Sequence, residues 1–258
     1  MKLSYKKLKK QFHHLLSILK INYSKLFSYK LFIKYKKDKH EWLKQGGKIT
    51  KSFMVLSDFY SNAGISKGHY FHQDLLVANY IYKHAPKRHI DIASRIDGFV
   101  AHVASFRVIE VFNLQKSEKI KHENIKFFQA DLMDTVRIGK TDSLSCLHAI
   151  EHFGLGRYND TIDVDGHNKG ISNMIDLVKV GGRMYISFPI GNDDEVYFNA
   201  HRVFHPTSIL QHPSVIKNMK LIRFDYVDDN GDLHLDKFID DVTPDVTYGC
   251  GIYTFEKF

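Results

Sequence analysis

Glu151-His152 is the pair in this chain best suited to acid–base chemistry. It closes an apolar run, Ser143–Ile150, and precedes a Gly-rich stretch, Phe153-Gly154-Leu155-Gly156-Arg157-Tyr158. A hydroxyl that attacks an electrophile must shed its proton, and an imidazole within hydrogen-bond reach can take it. His152 is the first candidate base, with Glu151 beside it. His201, in Asn199-Ala200-His201-Arg202, is the second. Arg157, Tyr158, Asn199 and Arg202 are placed to hold a polar substrate, the guanidinium fork suiting phosphate or carboxylate. The structural alternatives are a brace for Arg157 in the case of Glu151, and a half-buried, hydrogen-bonded ring in the case of His152.

Further histidines invite a metal reading. Residues 148/152 and 201/205 are spaced i,i+4, and 69/72 are spaced i,i+3, which on helices would pair ligands. His148, however, falls in or at the end of an expected strand, where that spacing does not converge. No HExxH pattern occurs, and Asp163 and Asp165 are the only further acids considered as ligands. No metal is expected. Cys146 and Cys250 each sit inside an apolar run, so neither a disulfide framework nor a CxxC knuckle is present and a reducing compartment is expected.

The elements that must position these groups follow a rhythm. Apolar runs His89–Ile92, Val108–Phe112, Ile125–Ala130 and Ser143–Ile150 end at or beside polar residues: Asp91, Asn113, Asp131 and Glu151-His152. A helix is expected near Gly98, and another at about 168–178, ended by Gly181-Gly182. Met184–Phe188 is a fifth strand. Leu221–Val227 and Tyr248–Phe255 follow, the last with no crossover helix and therefore expected to be antiparallel. This is an α/β fold: a Rossmann-like, mostly parallel sheet with helices on both faces, a ligand cleft along its carboxyl edge and an antiparallel last strand. Polar groups at three successive strand ends suit an adenosyl ligand better than a dinucleotide, and GxGxxG is absent.

That order of features resembles class I S-adenosylmethionine-dependent methyltransferases. More closely, four blocks resemble the family called domain of unknown function 268: Lys67–Asp74 (KGHYFHQD), Asp91–His102 (DIASRIDGFVAH), Asp142–Tyr158 (DSLSCLHAIEHFGLGRY) and Phe198–Phe204 (FNAHRVF). The resemblance spans about residues 55–258. It implies S-adenosylmethionine as cofactor, held by Asp91, Ala93, Ser94, Arg95, Asp97, Gly98, Asn113, Asp131, Leu132 and His148, with His69, Tyr70 and His72 on the substrate side. Ala93 and Arg95 stand where the larger family has glycines, and Asn113 where it has a ribose-binding Asp. A sulfonium cofactor carries no phosphate, so the first loop needs only close backbone approach. Asp91 would meet the ammonium group, Asn113 the ribose, and Asp131 the adenine amine with Leu132 against the ring. The bland fate of each acid or amide is a loop cap or an Asx turn.

Charge separates the two ends. Residues 1–51 hold fifteen Lys, no Arg, Asp38 and Glu41, a net +13 of the chain's +8, which leaves −5 for the rest. From Leu3 to Tyr35 apolar residues at 8, 12, 15, 16, 19, 23, 26 and 27 follow helical spacing, and Gly46-Gly47 reads as a hinge. The expected division is 1–50, a basic amphipathic helical segment, and 51–258, a methyltransferase-like α/β domain. Residues 1–45 would meet an anionic membrane surface, or else pack on the body or a second subunit. No membrane span and no signal peptide are expected. The expectation is therefore a cytoplasmic enzyme, peripheral on the inner face of the membrane. It would O-methylate a small-molecule or glycan acceptor, such as a sugar or surface-glycan precursor. The alternative is a non-catalytic protein of this fold that binds a nucleotide or protein partner. Nucleic acid is not expected, because the body is acidic.

Overall fold

The computed structural model describes residues 23–117, 120–134, 136, 138–241 and 246–258. These fall into two compact units, one up to Ile65 and the other Ser66–Phe258. In the first, helix α1 (Tyr23–Lys44) ends two residues before Gly46, whose φ of 85° suits glycine. Gly47 follows against the Trp42 ring, which a Cβ there would strike. Tyr35 shares a hydrogen bond of 2.5 Å with Ser52, and the Lys34 ammonium lies 4.7 Å from the centre of the Phe59 ring. Most of the amphipathic spacing noted above lies in residues 1–22, outside the described residues.

The second unit is built on one sheet. Its strands are β1 (His89–Ile92), β2 (Ile109–Asn113), β3 (Ile125–Gln129), β4 (Thr141–Leu147), β5 (Val178–Ile190), β8 (Met219–Val227), β9 (Leu233–His234) and β10 (Gly249–Lys257). The order is β3-β2-β1-β4-β5-β10-β8-β9, with β6 (Glu195–Tyr197) and β7 (His201–Val203) forming a separate hairpin. Strands β1 to β5 pair in parallel, and β10 runs antiparallel to both β5 and β8. The expected α/β class and antiparallel last strand are both present. Helices α2 (His69–His84) and α3 (Ala101–Ala104) pack on one face, while α4 (Gly166–Leu177) and α5 (Pro213–Asn218) pack on the other.

The period of two along β1 decides where its polar residues go. Ile90 and Ile92 enter the core on the α4 side. His89 and Asp91 therefore face α2 and α3, level with Ser143 and Ser145 of β4. The His89 ring meets Ser143 Oγ at 2.8 Å and Ser145 Oγ at 3.2 Å, so a buried polar strip runs through this layer. Gly181-Gly182 does not end the preceding helix as expected. Helix α4 stops at Leu177, and the glycines lie in an irregular start to β5, where the register with β4 jumps from Thr141↔Val178 to Ser143↔Arg183. Gly182 fits there because a Cβ would lie 2.9 Å from the Asp142 carbonyl.

Candidate functional site

A cavity of about 820 Å³ opens at the carboxyl edge of β1–β4, between the strand ends and the first turns of α2. It lies where the strand order reverses, with β2 on one side of β1 and β4 on the other, the usual ligand crevice of open α/β sheets. The cavity brings together Ala93, Ser94, Arg95 and Asp97 after β1, Asn113 at the last position of β2, and Asp131 and Leu132 after β3. At and beyond the end of β4 it gathers His148, Glu151, His152, Arg157 and Tyr158, with His69, Tyr70 and His201 from other elements.

Five expected site residues lie elsewhere. Asp91 is fully buried beneath the first loop. Its carboxylate accepts from Ser94 N–H at 3.0 Å, Ser94 Oγ at 2.8 Å and Ser145 Oγ at 2.6 Å. Burial raises its pKa to about 6, while the Ser145 and Ser94 hydrogen bonds oppose that shift. It is a loop brace, because strand parity turns it into the helix layer. Arg202 is also buried, and its guanidinium donates to the carbonyls of Phe153 (2.7 Å) and Glu151 (3.4 Å), so it holds the loop rather than a ligand. His72, Gly98 and Asn199 do not line the cavity either. Gly98 lies behind it, where a Cβ would stand 2.8 Å from Asp74 Oδ2.

Asp74 is the acid that sequence reasoning missed. It lies on α2, is nearly buried and lines the cavity over the first loop. Burial raises its pKa, and the Gln73 amide, 3.2 Å away, lowers it only in part. A carboxylate in that state favours a cation beside it. Nothing local in the sequence distinguished it, since it sits well before β1 and only the docking of α2 brings it over the strand ends.

Asn113 and Asp131 each form the Asx turn considered above. Asn113 Oδ1 accepts from Gln115 N–H and Asp131 Oδ1 from Met133 N–H, both at 2.9 Å. Each nevertheless lines the cavity, beside the apolar surface of Phe112, Phe127 and Leu132. Arg95 and Asp97 pair with each other at 2.8 Å on the open rim. Ala93 takes a left-handed φ of 61° where a glycine would rest easily, and its N–H donates to the Phe112 carbonyl at 2.8 Å.

At the other end, β4 stops at Leu147. His148, with φ of 49°, turns the chain into a short 3₁₀ turn, Ile150–His152. His152 Nδ1 lies 2.8 Å from the Ala200 carbonyl, which also accepts from Arg157 at 2.8 Å. That acceptor places the ring proton on Nδ1 and leaves Nε2 basic, 3.7 Å from Glu151 Oε1. Burial lowers the His152 pKa, while Glu151 and the Ala200 hydrogen bond work against it. Glu151, buried, also lies 2.8 Å from His148 Nδ1. His201 stands on β7, its ring centre 6.5 Å from that of His152 and 5.5 Å from that of Tyr248. Burial lowers its pKa as well. This end can take a proton at His152 Nε2 and stabilise the resulting imidazolium with Glu151.

Comparison with solved structures places the fold. The O-methyltransferase from the trans-AT PKS multienzyme of Brevibacillus brevis, in complex with S-adenosyl-L-homocysteine, superposes with a TM-score of 0.52 at 10% identity, over 72% of this chain and 72% of that one. The [4+2]-cyclase SpnF gives 0.51 at 11% identity, over 71% and 81%. The methyltransferase domain of bacterial CtHen1-C gives 0.50 at 11%, over 71% and 95%. At such identities the likeness is one of fold. A search of curated proteins finds no match. A family model does match, over residues 100–229, which takes in the ends of β2 to β4, the Glu151-His152 turn and the β6–β7 hairpin. By that match the chain belongs to the family described as Caenorhabditis protein of unknown function, DUF268.

Proposed function

We propose that the chain is an S-adenosylmethionine-dependent methyltransferase acting on a hydroxyl of a polar, glycan-like acceptor. One observation carries this reading. A single cavity has successive strand ends suited to an adenosyl group at one end and an oriented, basic imidazole at the other. The donor set fits the cofactor. Asp74, short of counter-charge, would meet its ammonium group, and the Ala93–Ser94 backbone its amino-acid portion. Asn113 would meet the ribose and Asp131 the adenine amine, with Leu132 and Phe112 against the ring. When bound, the cofactor supplies an electrophilic methyl group. The protein orients the acceptor, excludes water and receives the acceptor's proton at His152 Nε2, with Glu151 holding the charge that forms.

Arg157, Tyr158 and Tyr248 around His152 and His201 supply a cation and aromatic faces, a lining suited to a hydroxyl-rich or anionic acceptor. Residues 1–45 would bring the enzyme to an anionic membrane surface at which such acceptors are assembled. In a flotation assay, the full chain should rise with anionic vesicles and a 46–258 truncation should not. Attraction between exposed charges is screened beyond about 10 Å at 0.1 M salt, so binding should weaken as salt rises. Equal flotation of the two would remove this part.

Isothermal titration with S-adenosyl-L-homocysteine tests the central claim. Saturable one-to-one binding is expected, and absence of heat at any accessible concentration would overturn it. The cyclase among the structural relatives supports a second reading, that this fold serves here without methyl transfer. Cofactor binding with no turnover of glycan precursors in a lysate would favour that one.

A further inference from the structure

Three side chains from distant parts of the sequence converge beside the cavity, two of them on its wall. His69 opens α2, His148 follows β4, and Cys250 is the second residue of β10. One donor atom from each lies within 4.8 Å of the others. His148 Nδ1 faces Glu151 Oε1 at 2.8 Å, which fixes the proton on that side. Its other nitrogen, Nε2, is buried and has no hydrogen-bond partner among the described residues, while the side chain as a whole is 5% exposed. His69 is in turn oriented by a hydrogen bond to the Tyr248 backbone, and its ring centre lies 5.2 Å from that of His148. Cys250 is buried beside the His148 ring, its sulfur 3.7 Å from Gln73 Oε1 and 3.8 Å from the Gly251 carbonyl.

An imidazole with one nitrogen held by a carboxylate or a backbone carbonyl, and the other lone pair unused, is the outer-shell arrangement of metal-bound histidine. His148 shows it beside a thiol, and His69 is the second imidazole of the cluster. We propose that His69, His148 and Cys250 form a binding site for a single Zn²⁺-class ion. Two imidazoles and a thiolate select a borderline-soft transition metal over Mg²⁺ or Ca²⁺. Bonds of about 2.0–2.3 Å require the donor atoms to draw together by roughly an ångström, and the His69 ring, stacked at 12° to the His148 plane, to turn so that both lone pairs meet the ion. Three protein ligands leave a fourth position, and both imidazoles line the cavity, so that position faces the acceptor end. An oxygen bound there would be made more acidic. This departs from the expectation of no metal. The spaced pairs in the sequence each contribute at most one ligand, and the thiol comes from the last strand, a juxtaposition that no local spacing reveals.

The site stands independently of the methyl-transfer reading, and its test uses the metal alone. Full-length protein stripped with a chelator is titrated with Zn²⁺ against a chromophoric competitor, and Co²⁺ serves as the spectroscopic probe. One equivalent should bind, with a sulfur-to-cobalt charge-transfer band and the strong visible bands of a tetrahedral site. Cys250→Ser should abolish the charge-transfer band and weaken Zn²⁺ binding at least about tenfold. His69→Gln should weaken binding to a similar extent while keeping that band, and Glu151→Gln should cost roughly 10–100-fold as an outer-shell change. Circular dichroism melts establish that each variant is folded. Should Cys250→Ser fail to fold, the half-buried His69→Gln decides. Failure to retain one equivalent, or retention unaltered by these substitutions, as an ion held by His13-His14 would give, overturns the proposal.

Discussion

The two ends of the cavity both carry polar groups near strand ends, yet they are built differently. At the β1 end, the acid expected to meet a ligand, Asp91, points into the helix layer and braces the Ser94 loop. At the β4 end, Glu151, His152 and Arg157 reach the cavity from beyond the strand, joined by His201 from β7. The difference is one of parity and position. A residue inside a strand has its face set by its neighbours, and Asp91 alternates with Ile90 and Ile92, which the core claims. Residues past the strand end are free of that alternation, and a tight turn at His148 aims them into the cleft. Asn113, the last residue of β2, still lines the cavity, so a polar group near a strand end is a ligand candidate when its parity, or its place beyond the strand, turns it there.

The largest expected effect of a single substitution lies at the β4 end. His152→Ala should lower turnover by about 10²–10⁴-fold while leaving S-adenosyl-L-homocysteine affinity near that of the unaltered protein. His201→Ala is the control, since its ring stands farther from Glu151's reach. Full activity in His152→Ala with loss in His201→Ala would exchange their roles. Next in size, Asp74→Asn should weaken S-adenosyl-L-homocysteine binding about tenfold or more, the value of a charge-assisted hydrogen bond of roughly 1.5–3 kcal/mol. Titration calorimetry reads this directly, and unchanged affinity would remove Asp74 from the cofactor end.

Asp91→Ala should do the opposite. It strands the Ser94 N–H, Ser94 hydroxyl and Ser145 hydroxyl donors, so unfolding free energy should fall by roughly 1–3 kcal/mol, with the folded protein's cofactor affinity barely altered. A large affinity loss without loss of stability would return Asp91 to the ligand and erase the contrast. The smallest effect expected is on the pH profile. Burial lowers the His152 pKa, against the pull of Glu151, so its basic form persists below the ordinary imidazole value. Activity should hold as pH falls through about 6.5, the ordinary imidazole value, and decline only below it. A limb at or above that value would mean that the titrating base is not His152.

The sheet was legible because its signals are local. Apolar runs closed by Asp91, Asn113 and Asp131 located β1 to β3 within a residue or two, and the absence of a crossover helix before Gly249 foretold the antiparallel strand. The β6–β7 hairpin was not legible. Its strands are three residues each, and Glu195–Tyr197 is exposed throughout, so no alternation marks it. Arg202 was misread for the same cause: without the hairpin, nothing placed its guanidinium behind the Glu151–Phe153 carbonyls. Asp74 needed the docking of α2, and Cys250 the pairing of β10 with β5. Both are contacts between elements far apart along the chain.

The Ala200 carbonyl sits on the turn of that hairpin and receives both His152 and Arg157. On the proposed reading, displacing the hairpin would take that carbonyl from both side chains at once, so the imidazole's tautomer and the Arg157 position would hold only while the hairpin is in place, which would tie proton abstraction to a closed site.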